Sequence, residues 1–153
     1  MTEYLKKNHQ SEMVETLQIV LSNSFALYFK THAYHWNVEG PHFDALHRLF
    51  GDQYTELWTA LDDIAERMRQ LGVYAPMNIG EMTKGSKFTE AKKHIDAISM
   101  VKDLAKDNEA LSKLLADAIE KASELGDESS ADLFVQRQQQ HDKNAWMLNV
   151  TAK

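Results

Sequence analysis

Apolar residues recur at steps of three and four along most of the chain, which is typical of helices that bury one face. In the first half, this pattern predicts one helix from about Ser11 to Asn37 and another from about Phe43 to Leu71. In the second half, it predicts a helix that begins between Thr89 and Ile95 and ends before Gly126. A last helix is predicted over roughly Ser130 to Val150.

The breaks between these helices favour a bundle. Gly40-Pro41 ends the first helix and Gly72 stops the second, because proline cannot continue a helix and glycine suits its C-terminal end. Residues 73 to 90 contain proline and glycine, and so long a connection favours a short helix within it. Strand signals are weak throughout. We therefore expect an all-α, four-helix bundle over residues 11–150, preceded by a short N-terminal tail over residues 1–10.

Composition limits the class of protein further. The chain has 153 residues, of which 43% are hydrophobic and 26% charged, values ordinary for one soluble domain. It has no cysteine, no apolar run long enough for a membrane span and no signal-peptide pattern at its start. A cytoplasmic location is the default, with or without association with the nucleoid. A formal net charge of −6 argues against a surface built throughout for nucleic acid.

Two histidines and two acids on the first two helices are candidate metal ligands. His35 and His47 continue apolar stripes, where a lone histidine is more often a hydrogen-bonded core residue. Asp62 and Glu66 are spaced i, i+4 and therefore share a helix face, although a solvated pair of acids would show the same spacing. Together, two imidazoles and two carboxylates form a mixed nitrogen and oxygen ligand set suited to iron or zinc.

Distance separates these ligands along a single chain. On one straight helix, His47 and Glu66 lie about 28 Å apart at roughly 1.5 Å per residue. Two copies of this helix, paired antiparallel about a two-fold axis, would bring His35 and His47 of one subunit opposite Asp62 and Glu66 of the other. Symmetry then creates two such sites. The pattern favours a metal site that exists only in a dimer or a larger assembly.

The segment HWNVEGPHFDALHRLF, followed by LDDIAERMRQLG, resembles the signature of the Dps family, the mini-ferritins or DNA-binding proteins from starved cells. The C-terminal ADLFVQRQQQHDKNAWML resembles the last helix of that family, so the similarity spans nearly the entire chain. The resemblance implies a ferritin-like four-helix bundle with a short extra helix between the second and third long helices. It also implies a hollow homo-dodecamer, built on two-fold dimers, that protects the cell from oxidative damage.

The resemblance further implies a ferroxidase activity. Fe(II) would be oxidised, usually with hydrogen peroxide and otherwise with dioxygen, and Fe(III) would be stored as mineral. Carried over by position, His35 and His47 of one subunit and Asp62 and Glu66 of its partner would bind the iron, for which zinc is a possible substitute. Trp36 would absorb stray oxidising equivalents, although an interface aromatic is the alternative for this residue.

One position departs from the family pattern. Family members commonly carry an acid four residues after the second histidine, where this chain has Gly51, followed by Asp52. One residue corresponds to about 100° of helix rotation, so Asp52 would replace that acid only in a locally distorted helix. We therefore expect one firm iron position, built on Glu66 with help from Asp62 and a histidine, and a second that is weak or filled by water.

The turn before the last helix gathers three acids, Asp127, Glu128 and Asp132. In the family, acids near this point line three-fold pores that attract cations, and helix capping is the alternative. Both roles can hold for different residues of the turn.

The termini predict weak or absent DNA binding. Lys6 and Lys7 are offset by Glu3 and Glu12, and the other end offers only Lys153, whereas DNA binding requires several cations at phosphates. Two other functions remain open. One is a DNA-compacting Dps shell in which Gly51 has weakened or abolished ferroxidase activity, and the other is a helical oligomer whose histidines only stabilise the core.

Overall fold

The computed structural model describes residues 4–88 and 90–153. These residues form five helices: α1 (Lys7–Asn37), α2 (Phe43–Gln70), α3 (Ile79–Met82), α4 (Ala97–Leu125) and α5 (Glu128–Thr151). No strand occurs in this part of the chain. The predicted all-α architecture of four long helices, with a short helix between the second and third of them, is confirmed.

Two helix starts differ from the prediction. The first helix begins at Lys7, because its polar first turn is held by tertiary bonds, among them the bond from Gln10 Nε2 to the Leu71 carbonyl. The third long helix begins later than predicted, at Ala97, where the Asp96 side chain caps it by accepting from the Ser99 N–H. Thr89, where that helix was expected to start, and residues 1–3 of the predicted tail lie outside the described residues.

The four long helices pack as two pairs. The first pair is α1 with α2, the second is α4 with α5, and α1 joins them by packing on α4. The buried apolar side chains come from all four long helices and include Leu17, Leu21, Phe50, Leu57, Leu104, Leu111, Phe134 and Leu148. None of the helices in the described residues is both long and apolar enough to cross a membrane.

The turn between α1 and α2 is tight. The Val38 N–H donates to the Tyr34 carbonyl at 2.9 Å and closes the end of α1. Gly40 adopts φ of +108°, a left-handed conformation that side chains disfavour. Because α2 restarts at Phe43, the last turn of α1 lies beside the first turns of α2. This turn brings His35 and His47 together.

Charged groups inside the bundle are paired. Lys30, which is 1% exposed, forms salt bridges of 2.8 Å with Asp103 and 2.7 Å with Asp107. The Tyr34 hydroxyl donates to Asp103 at 2.7 Å. Burial raises the pKa of Asp107 despite the nearby lysine. This cluster joins α1 to α4 through charge rather than apolar contact.

A second buried polar network links α2, α4 and α5. His141 is fully buried, with its Nδ1 2.9 Å from Asn108 Oδ1 and its Nε2 3.3 Å from the Arg137 guanidinium. Arg137 also forms a salt bridge with Glu56. Burial, aided by the Arg137 cation, lowers the pKa of His141 to about 3. His141 is therefore neutral, accepting at Nε2 from Arg137 and donating from Nδ1 to Asn108.

Candidate metal centre

The structure brings His35 and His47 together as a stacked pair. Their ring centroids are 3.7 Å apart and their planes differ by 20°. His35 Nδ1 lies 2.7 Å from the His47 carbonyl oxygen, and His47 Nδ1 lies 2.9 Å from the His35 carbonyl oxygen. A carbonyl oxygen only accepts, so each Nδ1 carries the proton and donates it. Both Nε2 atoms are thereby left as lone-pair donors in a fixed orientation, which is how proteins prepare imidazoles for metal ions.

Helix ends and helix chemistry explain this reciprocal arrangement. His35 lies in the last turn of α1, where carbonyl groups have no partner within the helix and can accept from a side chain. The His47 carbonyl lies inside α2, but a carbonyl oxygen has two lone pairs and can accept a second bond. The pair therefore requires no break in either helix.

Gly51 lies directly against the His35 ring. A Cβ at this position would lie 3.3 Å from both Cε1 and Nδ1 of His35. That is closer than an ordinary van der Waals contact, so any side chain here would displace the imidazole by a few tenths of an ångström. The helix runs without interruption from Phe43 to Gln70, and Asp52 is exposed on it. The local distortion that would let Asp52 replace the missing acid is not present.

The two predicted carboxylate ligands lie elsewhere on the surface. Asp62 and Glu66 are exposed on α2, and at roughly 1.5 Å per residue Glu66 is about 28 Å from His47. Within residues 4–88 and 90–153 of one chain, no group of three or more histidines and acids is placed to hold a metal ion. Within one chain the imidazole pair, formed between α1 and α2, is therefore separated from the two carboxylates, which lie farther along α2.

An aromatic cluster adjoins the imidazole pair. His32 stacks on Tyr54 with centroids 3.7 Å apart and planes at 11°, and Tyr54 meets the His35 ring edge-on at 5.1 Å. The Tyr28 hydroxyl lies 3.2 Å from His32 Nδ1. Burial, with a smaller contribution from His35, lowers the pKa of His32, and burial raises the pKa of Tyr28. Both groups are therefore neutral at neutral pH.

Two exposed tryptophans flank this cluster. Trp36 is 58% exposed, and its ring centroid lies 4.0 Å from that of His32. Trp58 is 61% exposed and lies 5.3 Å from Tyr28. Sequence reasoning did not place His32 and Tyr54 together beside the imidazole pair. His32 lies three residues before His35, and Tyr54 lies seven residues after His47. These spacings place each residue on the same helix face as its histidine, and they could have indicated both residues.

The three acids at the start of α5 have different surroundings. Asp127 is fully buried; it caps the helix by accepting from the Ser130 N–H at 3.1 Å and pairs with Arg67 at 2.6 Å. The sequence left two roles open for this turn, lining a pore and capping the helix. The geometry assigns Asp127 to capping and to an ion pair. Glu128 and Asp132 are exposed and keep their carboxylates toward the surface.

The fold is that of a ferritin-like protein, and the model of the ferritin-like domain matches residues 14–152. A curated relative, DNA protection during starvation protein 2 of Bacillus anthracis, is 34% identical over 139 residues, covering 91% of this chain and 95% of its own. Among solved structures, Dps from Staphylococcus aureus superposes with a TM-score of 0.90 at 35% identity, covering 94% of this chain and 97% of that one.

A second solved structure, Dps from Vibrio cholerae, is described as a member of a broad superfamily of ferritin-like diiron-carboxylate proteins. It superposes with a TM-score of 0.92 at 30% identity and covers 97% of this chain and 94% of that one. The chain belongs to the Dps family.

Proposed function

We propose that this protein is a ferroxidase mini-ferritin. It oxidises Fe(II) at sites shared by two subunits and stores Fe(III) as mineral inside a cytoplasmic homo-dodecamer. The observation that carries the proposal is the reciprocal bonding of His35 and His47, because it fixes the Nε2 donors of two half-buried imidazoles, one from α1 and one from α2. Two histidines that only stabilise the core would not need both Nε2 atoms to be unprotonated and held in a fixed orientation.

The remaining ligands come from the neighbouring subunit. In an antiparallel pairing of two α2 helices, the exposed Asp62 and Glu66 of one chain meet the imidazole pair of the other, and two equivalent sites form. Carboxylates stabilise the harder Fe(III) ion more than Fe(II), so this ligand set favours oxidation. Two electrons reduce one hydrogen peroxide to two hydroxide ions, supplied by two Fe(II) ions or by one Fe(II) and another one-electron donor; dioxygen is the alternative oxidant.

Gly51 makes the two iron positions unequal. Glu66, Asp62 and one imidazole provide a firm position, while the side of His35 that faces Gly51 has no acid to complete a second. Zinc prefers the same nitrogen and oxygen donors and has no redox chemistry. It therefore competes with iron and blocks oxidation.

Other residues serve access and protection. Glu128 and Asp132 are exposed near the turn where the family has its three-fold pores, and they attract Fe(II) toward the interior. Trp36, exposed and in contact with the His32 ring, absorbs oxidising equivalents that escape the site.

A carboxylate substitution tests the ligand assignment. Glu66→Gln keeps the size of the side chain and removes its charge, and Asp63→Asn is a matched control at a neighbouring exposed acid of α2. We expect peroxide-driven Fe(II) oxidation to fall about ten- to a hundred-fold in the first variant and to be unchanged in the second. Equal activity of both variants, in shells of equal size, would remove Glu66 from the site.

Mixed shells test the shared site directly. His47→Asn retains an N–H for the His35 carbonyl but has no Nε2, so it is expected to be inactive, as is Glu66→Gln. When the two inactive chains are refolded together in equal amounts, half of the interfaces pair different variants. One of the two sites in each such interface then has all its native ligands, so about a quarter of the wild-type activity returns. No recovery in verified mixed shells would refute a site shared between chains.

DNA compaction is the alternative function, suggested by the name of the relative. The charge of −6 per chain and the few terminal lysines favour weak or absent binding at physiological salt. A salt-sensitive gel shift at sub-micromolar protein would contradict this expectation.

A further inference from the structure

Side chains of α1 and α2 meet in successive layers that lead away from the imidazole pair. The layers are His35 with His47, His32 with Tyr54, and Tyr28 with Trp58, at centroid distances of 3.7, 3.7 and 5.3 Å. Every step between neighbouring layers is a ring contact, for example 5.1 Å from His35 to Tyr54 and 6.4 Å from Tyr54 to Tyr28. An unbroken aromatic path thus begins at a proposed iron ligand.

The Tyr28 hydroxyl has a partner suited to redox chemistry. When a tyrosine is oxidised, its phenol becomes strongly acidic and its proton must leave. His32 Nδ1 lies 3.2 Å from that oxygen and can take the proton without any rearrangement. Tyr34, on the same helix, instead donates to Asp103 within the buried ion cluster. Of these two tyrosines, Tyr28 combines an imidazole partner with a place in the aromatic path.

A site with one firm iron position needs a second electron. Hydrogen peroxide takes up two electrons when it is reduced fully, and one Fe(II) supplies one. If no other donor is present, the single-electron product is a hydroxyl radical that attacks the protein. A donor within the aromatic path would complete the reduction before that radical forms.

We propose that Tyr28 is a redox-active tyrosine that supplies this second electron, with His32 as the proton acceptor and Tyr54 between Tyr28 and His35. One Fe(II), one tyrosine, one neutral imidazole and one hydrogen peroxide give one Fe(III), one tyrosyl radical, one imidazolium and two hydroxide ions. Iron and tyrosine each lose one electron, the O–O bond breaks, and the phenolic proton moves to His32. The inference rests on the proposed ferroxidase function.

Electron paramagnetic resonance tests the proposal on the assembled shell. The protein is loaded anaerobically with one Fe(II) per site, mixed with an equal amount of hydrogen peroxide and frozen at successive times. We expect the signal of a tyrosyl radical, and we expect this signal to become narrower when the protein contains ring-deuterated tyrosine. We also expect one hydrogen peroxide to be consumed for each iron oxidised. An iron pair would instead consume one peroxide for every two irons.

Three variants assign the radical. In Tyr28→Phe, we expect iron oxidation to continue, the tyrosyl signal to disappear and spin-trapped hydroxyl radical to rise several-fold. In His32→Gln, which lacks the imidazole that takes up the proton, the tyrosyl yield should fall with iron oxidation retained. Tyr74→Phe, at an exposed tyrosine outside the path, should behave as wild type.

The outcomes separate this inference from the proposed function. If the wild-type shell does not oxidise iron with peroxide or dioxygen, the proposed function fails and Tyr28 has no oxidant to reduce. If it oxidises iron but forms no tyrosyl radical, or only a tryptophanyl radical, the function stands and the inference is refuted. An unchanged tyrosyl signal in Tyr28→Phe would also refute it. If Tyr28→Phe does not assemble, an unchanged signal in His32→Gln would be decisive against it.

Discussion

His141 should make the folded bundle sensitive to mild acid. The pKa of His141 is about 3 in the folded protein, whereas an ordinary histidine has a pKa of 6.5. On acidification, His141 of the unfolded chain therefore becomes protonated at a pH at which His141 of the folded chain is still neutral. The stability that comes from this difference is fully present above pH 6.5 and is lost progressively as the pH falls toward 3. The cause is structural, because protonation would abolish the Nε2 acceptor and place a cation against Arg137 inside the bundle.

The size of the effect follows from the two pKa values. At about 1.4 kcal/mol per pKa unit, the difference between 6.5 and about 3 corresponds to about 5 kcal/mol in strong acid. At pH 5, roughly 1.5 units below the ordinary pKa, the loss is about 2 kcal/mol. Losses of this size are a large part of the stability of a typical domain.

The assay compares wild type with His141→Gln, whose amide does not titrate. Denaturant unfolding of both proteins is followed by circular dichroism between pH 4.5 and 7.5, at one protein concentration because the apparent stability of any oligomer depends on its concentration. Above pH 6.5, we expect the unfolding free energies of wild type and variant to differ by a constant amount. At pH 5, we expect the wild type to have lost about 2 kcal/mol of stability relative to the variant. Parallel pH curves would show that His141 is not buried as a neutral group.

Three further perturbations test the site and the core. Gly51→Asp should raise the number of Fe(II) ions bound tightly at each site from one to two in anaerobic calorimetry, with the His35 ring moving by the few tenths of an ångström that the new Cβ requires. An unchanged stoichiometry would mean that supplying the acid is not sufficient to create the second position. Lys30→Met leaves the buried Asp107 without its cation, while Asp103 keeps Lys92 at 3.5 Å. It should destabilise the fold by about 3–5 kcal/mol, and a loss below about 1 kcal/mol in thermal unfolding would show that the cluster is solvated. Trp36→Phe should increase oxidative modification of the protein after repeated iron and peroxide additions, measured by mass spectrometry; identical modification would favour the alternative role of Trp36 as an interface aromatic.

Periodicity and local breakers were sufficient to predict the four long helices and the short helix between the second and third. The start of the third long helix was missed because the decisive signals are the Asp96 cap and the positive φ of His94, not the apolar stripe. The first turn of α1 was missed for a similar reason, since it is polar and held by a bond from Gln10 to the distant Leu71 carbonyl.

The sequence by itself determined that His47 and Glu66 of one chain lie too far apart to bind the same metal ion. That argument uses only the rise per residue of a helix and the positions of His47 and Glu66, which are local quantities. Only the tertiary structure decided that His35 and His47 share their Nδ1 protons with each other's carbonyls, that Gly51 touches His35 and that Asp127 is buried against Arg67. These contacts depend on how helices are rotated and packed against one another, and residues far apart in the chain set that packing together.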